Sequence, residues 1–192
     1  MTDRPLKPTL DALLKAAFTY ERPSDPTMLS RTGPRRAPGE YAGIGTGLDG
    51  AGQAGLIQSA VRELPRYQRY AIEARYMPRG VKCRCGARCC KGWVDNAARA
   101  EALGELAEHG VSAALSGCIT TYRARRECVE RFYGKKVNLG KLADSVGRDA
   151  HTVGDWNKKI GQHLNVLLAQ AYEELGAVLV DCLPVDAPAK GM

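Results

Sequence analysis

The sequence predicts an all-α fold: a multi-helix domain with a C-terminal helix-turn-helix and a small cysteine-rich loop inserted into it. Three observations predict this class. Apolar residues recur at i, i+3 and i+4 through most of the chain beyond residue 55. No strand-period alternation of any length appears. The stretch Leu139–Lys159, LGKLADSVGRDAHTVGDWNKK, reads residue by residue as two helices joined by a tight turn.

The elements follow in order. Over residues 1–21, Leu10, Leu13, Leu14, Ala17 and Phe18 share one face of a weak N-terminal helix. Residues 22–54 change character, with four prolines and a glycine-rich run, and read as a flexible linker. Helical spacing resumes over 55–80. Leu56, Ile57, Ala60, Val61 and Leu64 form a first stripe, and Pro65 opens a second helix, where its missing N–H costs nothing. That helix continues the apolar face with Tyr67, Tyr70, Ala71 and Ala74. A cysteine-rich loop occupies 81–93, and a helical domain runs from 94 to 176. Within the domain, Val94–Glu108 reads as one helix, with Leu103 and Leu106 inward. Val111–Tyr133 reads as another, on Leu115, Cys118, Ile119, Tyr122, Val129 and Phe132, stopped by Gly134. The second helix of the helix-turn-helix extends to about Leu175, and 177–192 is a tail.

Within 139–159, Leu142 and Val146 are the buried residues of the first helix, and Ala143 is the small residue where the second helix approaches. Gly147 falls at the turn, where positive φ is cheap only for glycine. Val153 and Trp156 give the apolar stripe of the second helix, and Asp149 is placed as its N-cap. An αα-hairpin with the same packing and no DNA beneath it is the alternative.

Charge points toward nucleic acid. The 192-residue chain carries +7 and a pI of about 9.1. Ten basic residues face five acidic ones between Arg123 and Lys159, so the excess lies on and just before the two helices. The exposed N-terminal positions of the second helix are Arg148, His151, Thr152 and Asp155, suited to base edges, with Asp155 an acceptor for cytosine N4. Arg126, Lys135, Lys136, Lys141, Lys158 and Lys159 fit phosphates.

Lys82–Trp93, KCRCGARCCKGW, places Cys83, Cys85, Cys89 and Cys90 within eight residues. Four thiolates repel one another unless a cation joins them, and one structural Zn²⁺ takes four such ligands. A variant lets His109, Cys118 or Cys128 replace one ligand. The alternatives are reactive thiols and surface cysteines of no special role. Cys118 and Cys128 fall within an apolar helical pattern and read as small core residues. Met1–Tyr20 has no continuous apolar core, and no apolar run approaches the ~18 residues of a membrane span. A cytoplasmic protein without membrane contact is expected, in a compartment where clustered cysteines bind metal rather than form disulfides. No carboxylate pair or nucleophile–base set stands out, so a non-enzymatic protein is expected.

On Cys83, Cys85, Gly86, Cys89, Cys90, Gly92 and Trp93, with the pair of helices at 139–159, the chain resembles the Q-like antitermination proteins of lambdoid phages. The likeness is greatest to small phage proteins with a C-x-C-G-x-x-C-C-x-G-W element and spans roughly residues 55–175. The better-known members draw zinc ligands from two separated C-x-x-C pairs, which this chain lacks. Glu63–Met77, ELPRYQRYAIEARYM, is similar to the helical start of the trihelical sigma-factor region 4. The resemblance implies a bacteriophage transcription regulator that binds double-stranded DNA near a late promoter. It would engage bacterial RNA polymerase, alone or with its sigma factor, so that terminators are read through. Activation without antitermination is a variant. A packaging or replication adaptor, such as a small terminase subunit, is the rival.

Overall fold

Seven α-helices and one short β-hairpin form among the residues that the computed structural model describes, namely 9–20, 47–83, 85 and 91–180. The chain is mostly helical, and it divides into two compact units, Met1–Leu64 with Tyr172–Met192, and Pro65–Ala171.

In the first unit, α1 (Leu10–Thr19) starts where Thr9 Oγ1 accepts the N–H of Ala12 at 3.3 Å. It buries Leu13, Leu14, Ala16 and Ala17. Helix α2 spans Gly47–Glu63, so it begins eight residues before the expected start and takes in the last part of the glycine-rich run. Glycine is a poor helix former, but Gly50, Ala54, Ile57 and Val61 fall on one buried face, and tertiary burial outweighs the propensity cost. Gln58 Nε2 donates to the Ala17 carbonyl at 2.8 Å and ties the two helices. Leu56, expected inward, is exposed. The rest of the expected linker, 22–46, lies outside the described residues.

The second unit opens with α3 (Arg66–Tyr76), whose N-cap is Pro65 as expected. Strands β1 (Gly80–Lys82) and β2 (Trp93–Asp95) then pair antiparallel, with Gly80 opposite Asp95, Val81 opposite Val94 and Lys82 opposite Trp93. This hairpin corrects the expectation of no strands, and it takes Val94 out of the helix expected over 94–108. Helix α4 (Ala97–Glu105) starts instead at Asn96, whose Oδ1 caps the Arg99 N–H. It widens into a π-turn over Leu106–Gly110.

The single helix expected over 111–133 is also corrected. A 3₁₀ turn (Ala113–Leu115) and an extended stretch precede α5 (Tyr122–Phe132), whose cap is Thr121. Gly117 takes φ +77° and breaks the helical run, leaving Ile119 and Tyr122 exposed rather than inward. Gly134, at φ +90°, follows the end of α5 as expected.

Helix α6 (Leu139–Val146) is capped by Asn138, whose Oδ1 accepts from the Lys141 N–H at 3.1 Å. Helix α7 runs from Ala150 to Val180, 31 residues, past the expected end near Leu175. Its buried residues up to Leu164 (Val153, Trp156, Ile160, Leu164) join Leu142 and Ala143 of α6 and Ala124, Cys128 and Val129 of α5 in one core. Leu103, Leu106, Val111 and Leu115 complete it from the α4 side, and Tyr70 and Ala74 from α3. His163 Nε2 lies 2.9 Å from the Gly110 carbonyl oxygen and pins α7 to the π-turn.

Cys128 is a core residue, as its spacing predicted, and Cys118 packs half-buried against the same core. Burial pushes the Cys128 thiol up to about 11, from an ordinary value of 9.0. The folded chain therefore holds this proton to higher pH than the unfolded chain does. Stability from this group is complete below about pH 9 and is lost as pH rises toward 11, by up to roughly 2–3 kcal/mol. Urea midpoints between pH 7.5 and 10.5 should fall more steeply for the wild type than for Cys128→Ala; parallel curves would contradict this.

Candidate nucleic-acid interface and cysteine loop

The joint between α6 and α7 is a local structure that its own residues specify. Gly147 takes φ +62°, ψ 39°, which an L side chain resists, and the Arg148 N–H donates to the Ala143 carbonyl at 3.0 Å. Asp149 Oδ2 then accepts the N–H groups of His151 at 2.8 Å and Thr152 at 3.2 Å, so Asp149 is the cap its position predicted. Leu142 and Ala143 are buried beneath the joint with Val153 and Trp156, and Val146 packs half-buried against them.

Above that core the side chains face water. Arg148, His151, Asp155, Lys158 and Lys159 are exposed, and Thr152 is half-buried. His151 Nε2 stands 3.7 Å from Asp155 Oδ2, one turn further along the helix, so a donor and an acceptor are presented side by side. Lys159 Nζ lies 3.8 Å from Cys118 Sγ. The cations before α6 divide into two groups. Lys136 and Lys141 are exposed and line a shallow groove of about 220 Å³ between α5 and α6, together with Arg123.

Arg126 and Lys135 are engaged within the fold. Arg126 Nε donates to Glu130 Oε1 at 2.6 Å, and its Nη1 reaches the Ala100 carbonyl at 3.1 Å. Gly104 makes room for that crossing, since a Cβ there would sit 3.1 Å from Nη1. Lys135 Nζ donates to Glu130 Oε2 at 2.5 Å and lies 3.2 Å from Glu127 Oε2. Burial alone would raise the Glu130 pKa, but the hydrogen bonds from Lys135 and Arg126 outweigh it and hold the carboxyl below its ordinary range. The bond to Glu130 in turn raises the Lys135 ammonium. These two cations also border a cleft with Arg79 and Arg99, which the sequence does not single out because they lie outside its basic run.

The hairpin closes the cysteine segment at its base. Next to the Lys82–Trp93 pair, the Cys83 N–H donates to the Gly92 carbonyl at 2.9 Å, and Gly92 turns at φ +79°. The strand pairing thus brings residues 83 and 92 side by side. Cys83 is half-buried and Cys85 exposed, while Cys89 and Cys90 lie outside the described residues. Thiolates are soft donors of the kind Zn²⁺ takes. Among the described residues no group of three or more His, Cys, Asp or Glu side chains is placed to hold a metal ion. Of the substitute ligands, Cys128 is buried in the core, whereas His109 is exposed. Among the described residues no helix is long and apolar enough to cross a membrane.

Comparison with known proteins finds no match: no family model, no curated protein and no solved structure aligns with this chain.

Proposed function

We propose that this chain is a non-enzymatic, sequence-specific DNA-binding regulator of transcription, with α6 and α7 as its helix-turn-helix. One observation carries the reading: a glycine turn and an Asp-capped helix start are built on a shared core, with exposed cations on their outer side. The first turns of α7 would enter the major groove. His151, Thr152 and Asp155 would meet base edges there, with Arg148 on guanine or phosphate and Lys158 and Lys159 on phosphates. Lys136 and Lys141, across the groove beside α6, extend the phosphate track. Cys83, Cys85, Cys89 and Cys90 would hold one structural Zn²⁺ that rigidifies the hairpin loop. The likeness to Q-like proteins supports an antiterminator acting in the host cytoplasm with RNA polymerase as its partner.

The length of α7 favours a second reading, a packaging or replication adaptor. Its 31 residues, with Val166 and Val178 exposed, resemble the oligomerising helix of such adaptors.

Metal content of the purified protein, measured with chromatin precipitation from an expressing host, separates the two. One zinc per chain, lost in Cys89→Ser/Cys90→Ser, with late-promoter DNA and polymerase recovered together, is the expected result. A metal-free ring that recovers DNA without polymerase would move the adaptor reading ahead.

A further inference from the structure

Between the hairpin, α4 and α5, within the second unit, lies a cleft of about 340 Å³. Among the described residues Arg79, Arg99, Arg126 and Lys135 line it, with the carboxylates Asp95 and Glu130. Backbone carbonyls hold Arg79 and Arg99 in place, whereas Lys135 is held by carboxylates and Arg126 by both. Arg79 Nη2 donates to the Gly134 and Tyr133 carbonyls at 3.1 and 3.4 Å, and Arg99 Nε donates to the Ala74 carbonyl at 3.1 Å. A carbonyl orients a guanidinium without cancelling its charge, and each guanidinium has five N–H donors, of which these bonds use few. Glu130 is shared between Arg126 and Lys135, and Lys135 also pairs with Glu127 at 3.2 Å, so the acids bear chiefly on Lys135 and leave Arg79 and Arg99 to the carbonyls.

The cations also press on one another. Burial first, and then the charge of Arg79, lowers the pKa of Arg99, with Arg126 adding to the effect. The group stays protonated at any physiological pH, so the fold carries the repulsion. Preoriented, partly desolvated guanidiniums around a small cleft form the geometry that takes an oxyanion in paired N–H···O bonds. The volume sits near the lower end of the ~300–1,000 Å³ usual for small-molecule sites, enough for one phosphoryl group with a modest substituent.

We propose that this cleft binds a phosphoryl oxyanion through Arg79, Arg99, Arg126 and Lys135. The inference does not depend on the helix-turn-helix. Thermal unfolding tests it, with inorganic phosphate as the probe and sodium chloride holding ionic strength constant. Phosphate at ~10 mM should raise the wild-type Tm by about 2–5 °C. The gain should vanish in Arg79→Gln and Arg99→Gln and persist in Lys15→Gln, an exposed cation of α1 that does not line the cleft. Arg79 is exposed, and its bonds among the described residues are to the carbonyls of Tyr133 and Gly134, so its variant carries the test if Arg99→Gln fails to fold. No gain in the wild type, or an equal gain in all four proteins, overturns the proposal.

A random-sequence duplex identifies the source of the phosphoryl group. If Arg79→Gln weakens duplex binding and phosphate competes with it, the ligand is a DNA backbone phosphate. If duplex binding is unchanged while the phosphate gain is lost, the ligand is a small phosphorylated molecule. Because the thermal assay contains no DNA, failure of the DNA-binding reading would leave its result standing.

Discussion

Trp156→Ala is expected to destabilise the protein by about 3–5 kcal/mol, a large share of the roughly 5–15 kcal/mol that holds a domain folded. Trp156 is 6% exposed and lies in the core shared by α5, α6 and α7. Truncation removes the largest side chain under the α6–α7 joint and leaves a cavity that the capped turn at Gly147–Asp149 resists closing. The turn is held by the Arg148 N–H on Ala143 and by the two bonds to Asp149, so the helices cannot slide together without breaking them. Val166→Ala on the same helix is the control. Val166 is 51% exposed, and its change should stay within about 0.5 kcal/mol. Urea unfolding followed by far-UV circular dichroism reads both. A destabilisation below about 1 kcal/mol in Trp156→Ala would mean that the joint is not packed as described.

The parts legible in the sequence are those whose cause is local. Gly147, Asp149, Val153 and Trp156 lie within ten residues of one another, and each acts on the backbone or core through the helix it belongs to. Pro65 and Gly134 are legible for the same reason. The hairpin is not, because each strand has three residues and its side chains are mostly exposed, so no apolar alternation records it. The break between α4 and α5 is hidden differently. Leu106, Val111 and Leu115 are buried at spacings close to helical, yet a π-turn and a 3₁₀ turn carry them, and a π-turn shifts the register that spacing alone assumes.

Among candidate site residues, charge alone places Arg126 and Lys135 on the phosphate track. Spacing along the chain cannot reveal that Glu130 stands between them. Nor can it reveal Arg79 and Arg99, which reach the same cleft from 47 and 27 residues before Arg126. Long-range convergence of charge leaves no periodic trace.

Replacing Arg148, Lys158 and Lys159 together by glutamine is expected to flatten the salt dependence of DNA binding. The slope of log K against log [salt] should become shallower by about 1 for each phosphate that is no longer neutralised, hence by roughly 3. Each neutralised phosphate releases condensed counterions, and a glutamine releases none, so the change reports charge pairing with the duplex rather than unfolding. All three side chains are exposed, Arg148 in the turn before α7 and Lys158 and Lys159 on α7 itself, so stability should be little altered. His151→Ala should behave differently. The imidazole beside Asp155 would read a base edge, so its removal should cost about 1–3 kcal/mol on the specific site while leaving random-sequence affinity and the salt slope nearly unchanged. Fluorescence anisotropy on one selected and one scrambled duplex, across a series of salt concentrations, measures both quantities. If the triple variant kept the wild-type slope, the cations of α7 would face away from the duplex. The phosphate track would then run along the groove lined by Lys136 and Lys141. If His151→Ala weakened both duplexes equally, the residue would touch the backbone rather than a base, and the specificity of α7 would rest on Thr152 and Asp155.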